Sequence, residues 1–334
     1  MRESLGFENV FLNPKKLEIA YRRYSKNFVN GIKFENVKEN YEENKSEIMN
    51  IVELNAVEKD HILLIDIDSI GSYYLSKWKN DVLINGERKV NELKKMQMVV
   101  FYQCMGQDLY KIRYPKMMVE YSFREVIFSL IHFTIFGWEK EENILFDFIV
   151  ENFGEHILNA NDDNKHTWFL LELYLQYRNK TIMGVNKKLH ITVKERFEEA
   201  GLRSGLIPED LDIYSEVLEQ WSTPDSAKIE NLIGKMSLYH SILASEIGQL
   251  GEFGDFRYGF YPFEILFLMH VRKEKGLSVP NHLDDFLMNT PEAKMVFEDP
   301  EPYPEWDPLL RLMDDFYRKN YPDYIPNRHG ELFQ

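Results

Sequence analysis

Apolar residues recur every three to four positions along most of this chain, and runs in which they alternate with polar ones are almost absent. A strand needs a period of two and a helix one near 3.6, so the pattern predicts an all-α protein. Asn13-Pro14 reads as a cap and first turn for a helix from Pro14 to Asn30, with Leu17, Tyr21, Tyr24 and Phe28 on one face. Between Glu39 and Asn85 the spacing of Ile48, Ile51, Val52 and Val57, then of Ile62, Ile65, Tyr73 and Leu75, predicts one or two long helices. Asn85-Gly86 is a dipeptide that can join strands, yet Val90, Leu93, Gln97, Val100 and Cys104 keep helical spacing after it. It is therefore read as the joint of two antiparallel helices.

Further helices are predicted at Tyr121 to Phe136 and Glu141 to Phe153, turned at Gly137-Trp138, and at His166 to Arg178 and Lys187 to Ala200. Ser222-Thr223-Pro224-Asp225 is the clearest start signal, feeding Ile229, Leu232, Ile233, Met236, Tyr239, Leu243, Ile247 and Leu250. After a glycine stretch at 248, 251, 254 and 259, Phe260 to Lys275 restarts as an apolar helix with a basic end. The expected architecture is a bundle of about ten to twelve helices, as one body or as two helical lobes. Pro115 forces Tyr114 towards extended backbone, so Arg113 to Lys116 is the expected boundary between residues 1–112 and 113–290. Residues 291–334 form a proline-cut, acidic C-terminal extension; from Asn281 onward there are twelve acidic residues against five basic ones.

The whole chain carries 55 acidic against 40 basic residues, a net charge of −15. Phosphate contact needs clustered Lys and Arg, so direct nucleic-acid binding is not expected, and the charged partners that fit are basic. Cys104 is the one cysteine, which excludes an intrachain disulfide framework and a cysteine-based zinc site. The first residues lack the basic flank and apolar run of a secretion signal, and the longest apolar stretch, Val126 to Trp138, is too short to span a bilayer. A cytoplasmic protein without membrane contact is expected.

Motifs for catalysis are not found. Asp66-Ile-Asp68-Ser-Ile70-Gly71 opens like a calcium loop, but Ile70 and Lys77 stand where ligands belong. Gly248-x-x-Gly251-x-x-Gly254 has neither the phosphate-loop lysine nor a preceding strand, and Ser204 lacks the register of a nucleophile elbow. Histidines show no metal-binding spacing, and His132 and His270 read as core imidazoles. Neither a cofactor nor a metal is expected. Glu139-Glu141-Glu142, Asp162-Asp163, Asp284-Asp285 and Asp314-Asp315 read chiefly as solvated surface, with docking of a basic partner as the other use of such acids. The candidates for that contact are Asp284, Asp285, Glu298, Asp299 and Glu301, with Tyr303 and Trp306 beside them as aromatic anchors or as pins holding the tail to the body.

The run Tyr258-Gly259-Phe-Tyr-Pro262-Phe263-Glu264-Ile-Leu-Phe, following the Ala227 to Gly248 helix and the aromatic-rich Tyr121 to Gly137 helix, resembles the closing motif of PoNi-type immunity proteins. These are all-helical bacterial proteins that neutralise a cognate nuclease toxin of polymorphic or type VI secretion systems. The resemblance covers residues 118–290 and makes Tyr258, Gly259, Phe263 and Glu264 structural. Pro262 replaces a small polar residue, Val279-Pro280-Asn281-His282 replaces a tyrosine-proline signature, and the acidic tail is additional. The resemblance implies a non-catalytic inhibitor whose acidic surface occludes a basic nuclease groove. A helical enzyme with carboxylate-bound metal, drawing on Asp66 and Asp68, and a protein-interaction scaffold are the alternatives.

Overall fold

A computed structural model describes residues 12–29, 31–113, 121–154, 158–280 and 283–334. Among these, twelve α-helices follow one another: α1 (Pro14–Val29), α2 (Gly31–Glu53), α3 (Asp60–Leu83), α4 (Asn91–Arg113), α5 (Phe123–Phe136), α6 (Glu139–Asn152), α7 (Lys165–Arg178), α8 (Leu189–Glu199), α9 (Ile213–Gln220), α10 (Ser226–Ala244), α11 (Phe263–Glu274) and α12 (Pro308–Asn320). Two-residue strands, β1 (Tyr121–Ser122) and β2 (Leu158–Asn159), pair in parallel. The all-α expectation holds, because helical spacing alone gives each element an apolar stripe to bury.

All twelve helices contribute side chains to a continuous apolar core. The central helix α5 is buried along almost its whole length, apolar on every side, as a helix surrounded by others must be. Its ends are well specified. Ser122 accepts a hydrogen bond from the Glu125 amide, and Gly137, at φ +70°, turns the chain while its own N–H returns to Phe133 and Thr134. Helices α3 and α4 pack along each other after the Asn85-Gly86 turn, and α1 lies against α3 and α10.

Polar ties from the C-terminal segment to the first four helices run through this core. Glu292, in a 3-10 turn at Glu292–Lys294, lies in the core with Lys79 of α3 and Tyr24 of α1, all three fully buried. Lys79 Nζ donates to Glu292 Oε1 and, at 2.7 Å, to the Tyr24 hydroxyl oxygen; the Tyr24 O–H donates to Glu292 at 2.5 Å. Aromatic rings cage the ammonium, Trp78 at 3.9 Å and Tyr24, Phe28, Tyr261 and Tyr258 at 5.3 to 6.0 Å. Burial pushes the lysine's pKa down, against the pull of Glu292, and pushes that of Tyr24 up. Asp307 makes a second tie. Its Oδ1 caps α12 through the Leu309 and Leu310 amides, while its Oδ2 accepts from Tyr41 of α2 and Tyr74 of α3, each at 2.6 Å.

Several expectations are corrected. The extension is not irregular throughout: α12 is amphipathic and packs on α2, α3 and α4. Proline at its first turn, read as an interruption, starts it. Helix α10 begins after Asp225, whose carboxylate accepts from the Ala227 and Lys228 amides, and ends at Ala244 rather than continuing to Leu250. The short helix α9 was not expected. Glu141, Glu142 and Asp314 are buried rather than solvated: Glu142 holds Arg178 and Tyr174, Glu141 accepts from Tyr303 and the Phe333 amide, and Asp314 holds Arg318. His132 is a core imidazole, but His270 is half-buried. Asn30 and residues 114–116 of the expected boundary lie outside the described residues.

Removing one partner of a buried ion pair strands the other charge. Lys79→Met should lower unfolding free energy by about 3–5 kcal/mol, whereas Lys79→Met with Glu292→Leu should recover most of that loss; urea denaturation of the two variants checks it.

His132 supplies a pH test. Its Nδ1–H donates to the Phe128 carbonyl and its Nε2 accepts from Tyr261 at 3.1 Å, so the neutral ring is satisfied, and burial holds its pKa down at about 4. The unfolded chain binds this proton near 6.5 and the folded one does not. Stability from this group is therefore complete above pH 6.5 and is lost as pH falls to about 4, by on the order of 3 kcal/mol. His132→Gln should flatten that slope in denaturation series between pH 7 and 4.

Candidate partner-docking surface

The tail residues singled out in the sequence divide into anchors and surface groups. Glu301 is an anchor: it is buried, its Oε2 lies 3.0 Å from Lys94 Nζ, and its Oε1 accepts from the Glu298 amide. Its backbone is held as well, by the Phe136 carbonyl and the Trp138 indole N–H. Tyr303 donates to Glu141 at 2.9 Å. Trp306 packs 5.2 Å from the Tyr102 ring under the Arg311 guanidinium. These three pin the tail to the body, Glu301 from a buried position and Tyr303 and Trp306 from half-buried ones. Asp284, Glu298 and Asp299 are exposed, and Asp285 is half-buried, with its Oδ1 accepting from Ser237 and the Met288 amide.

Glu298 stands at a cleft of about 610 Å³ between the α3–α4 connection and the extended backbone after Met295. Trp78 and Val90 form apolar floor, and Val296 and Pro302 line the opposite wall. One backbone bond, from Val296 N–H to the Arg88 carbonyl, joins the walls. Five carboxylates line the cleft, Asp81, Glu87, Glu92, Glu298 and Glu301, against three cations, Arg88, Lys89 and Lys94. Glu301 already neutralises Lys94. Burial, then the nearby charges of Glu87 and Glu92, raises the Asp81 pKa above the ordinary carboxylate value, so negative charge is crowded there. Glu92 pairs with Lys77 at 2.9 Å through one oxygen, while its other oxygen is buried without a hydrogen bond. Such a concavity favours an incoming cation.

A second pocket, of about 460 Å³, lies among Tyr21, Asp284, Asp285, Phe286, Asn289, Thr290 and Pro291, just before Glu292 in the chain. The Phe286 ring meets Tyr21 edge-on at 5.4 Å, and Phe260 backs Tyr21 at 5.2 Å.

The Tyr258-Gly259-Phe263-Glu264 motif is interior. Tyr258 donates to Glu125 at 2.8 Å, and Phe263 packs against Phe128, Phe253 and His166. Glu264 and the Gly259 carbonyl take the two ring nitrogens of His240, at 2.7 and 3.0 Å. Both ring nitrogens of His240 are thus taken up inside the protein. The motif is a buried polar hub between α10 and α11, which removes it from any partner surface.

Trp78, Asp81, Glu87 and Glu92 of the cleft, and Tyr21 and Phe286 of the second pocket, were not singled out in the sequence. The one available signal was the charged Glu87-Arg88-Lys89 run after Asn85-Gly86, which marks an exposed connection. Among the described residues, no three His, Cys, Asp or Glu side chains converge as a metal's donor set would, and no helix is long and apolar enough to cross a membrane. Asp66 and Asp68 sit on α3 two residues apart, one buried and one exposed. Compared with family models, curated proteins and solved structures, the chain matches none.

A Cβ on Gly259 would lie 2.5 Å from Ile247 Cδ1, 2.6 Å from the Asp255 carbonyl oxygen and 2.8 Å from that of Phe253. Two of those contacts are backbone and no rotamer relieves them. Gly259→Ala should therefore cost about 3 kcal/mol of stability, measured by urea denaturation, while leaving the surface charge unchanged.

Proposed function

We propose that this chain is an inhibitor of the PoNi immunity type, which acts in the cytoplasm by binding a cognate basic toxin domain, a nuclease, and covering its active groove. The observation that supports this reading most directly is the acidic cleft between the α3–α4 connection and the tail. Its carboxylates outnumber its cations, and one of them, Asp81, is shifted towards its protonated form by burial first and then by the charges of Glu87 and Glu92. A cation entering the cleft relieves that repulsion, which a neutral or acidic partner cannot do. A nuclease groove shaped for phosphate is the complementary surface, and a net charge of −15 speeds its encounter at low salt. The closing motif of the C-terminal half is the second support. No step of this action needs catalysis by the inhibitor.

Co-expression with the product of the adjacent upstream gene should rescue growth and yield a one-to-one complex. Its affinity should fall as NaCl is raised, and Glu87→Lys with Glu298→Lys should weaken it at least about tenfold, roughly 1.4 kcal/mol, with unchanged thermal stability. Toxicity without rescue, no toxicity, or a salt-independent complex indifferent to the double reversal would overturn the proposal.

A further inference from the structure

The pocket beside Glu292 has a chemistry the cleft lacks. Phe286 is 37% exposed although it is aromatic, and its ring is braced edge-on by Tyr21, which Phe260 supports in turn. The ring face is thus held in place rather than free to fold away. Asp284 stands exposed at the rim with no hydrogen bond or ion pair among the described residues. Asp285, at the other side, is fixed by Ser237 and the Met288 amide. An aromatic face with carboxylates at its edge complements one group in particular. A guanidinium stacks flat on the ring and presents its N–H groups in the ring plane to carboxylates, whereas an ammonium does only one of these well.

Position argues for a protein as the bearer of that group. Pro291 lines this pocket and Val296 lines the cleft, so five residue steps of chain separate them, about 18 Å at most. A standard interface covers roughly 800 Å² on each partner, a disc about 30 Å across, wide enough to include both. Between them the chain is not free to move, because Glu292 is tied to Lys79 and Tyr24 in the core. The two depressions are therefore held at a constant spacing.

Resting on the inhibitor reading above, we propose that the Tyr21–Phe286 pocket receives one arginine side chain of the basic toxin domain, stacked on Phe286 and bound by Asp284, while a neighbouring basic element of the same domain enters the cleft. The pocket then sets partner choice: a toxin with lysine or a neutral residue at that point loses the stacking, and the charge of the cleft alone does not discriminate.

The test titrates the purified product of the upstream gene, inactivated at its own active site, into the wild-type chain and three variants by calorimetry. Phe286→Ala and Asp284→Asn should each weaken binding about tenfold, and Phe286→Trp should restore or strengthen it. Thermal melts of the free variants identify any loss of folding; Asp284 is exposed and has no partner among the described residues, so Asp284→Asn stays informative even if Phe286→Ala unfolds. Wild-type affinity retained by both Phe286→Ala and Asp284→Asn, in folded protein, would sink this inference and leave the inhibitor reading standing. Failure of the wild-type chain itself to bind would overturn the inhibitor reading instead, and this one with it.

Discussion

A lysine, a glutamate and a tyrosine with no exposure to water hold the two ends of this chain together. Lys79 comes from the third helix, Tyr24 from the first, and Glu292 from a short turn more than two hundred residues later. Desolvating two charges is expensive, and the arrangement is tolerable only because the hydroxyl and the ring faces supply what water would. The single Glu292 oxygen left without a partner shows that the compensation is incomplete. A buried pair of this kind is a poor source of stability but a strong source of register, since every alternative placement of the tail strands a charge.

The tail follows from that constraint. Once Glu292 is seated, Glu301 meets Lys94, Asp307 meets Tyr41 and Tyr74, and Tyr317 reaches the Asp60 carbonyl. The acidic residues from Asn281 onward therefore form two populations. One is internal and satisfies bases and hydroxyls of the first four helices. The other, with Asp284, Glu298 and Asp299, remains at the surface, and the two pockets lie where the second population meets the edge of the first. Net charge alone does not separate them, because both kinds of carboxylate count equally in the sum.

The same division runs through the imidazoles. His132 faces a carbonyl and a hydroxyl and is satisfied neutral, whereas His240 faces a carboxylate and a carbonyl. Both lie in helices with no motif around them; the Phe128 carbonyl is one turn from His132, but Tyr261, Gly259 and Glu264 reach the two rings from other parts of the chain. The glycine of the Tyr258 motif is explained equally locally in space: two backbone oxygens and an isoleucine leave no room for a methyl group.

Helical class, the course of most helices and the burial of His132 were legible from spacing and caps, because these depend on residues within a turn or two of one another. The start of α12 was written in Asp307-Pro308 but was masked by the surrounding prolines, whose effect depends on position within the turn. The motif residues were legible as structural, though not the histidine they enclose. Which carboxylates face water was not legible: Glu141 and Glu142 lie beside the exposed Glu139, and Glu301 is two residues from Asp299, yet they end on opposite sides of the surface. Local sequence determined that this chain makes amphipathic helices with an acidic excess. Only the tertiary structure decided which acids are held by buried bases and which remain to form a cleft, because an ion pair depends on distance in space and the partners here are separated by more than two hundred residues of chain.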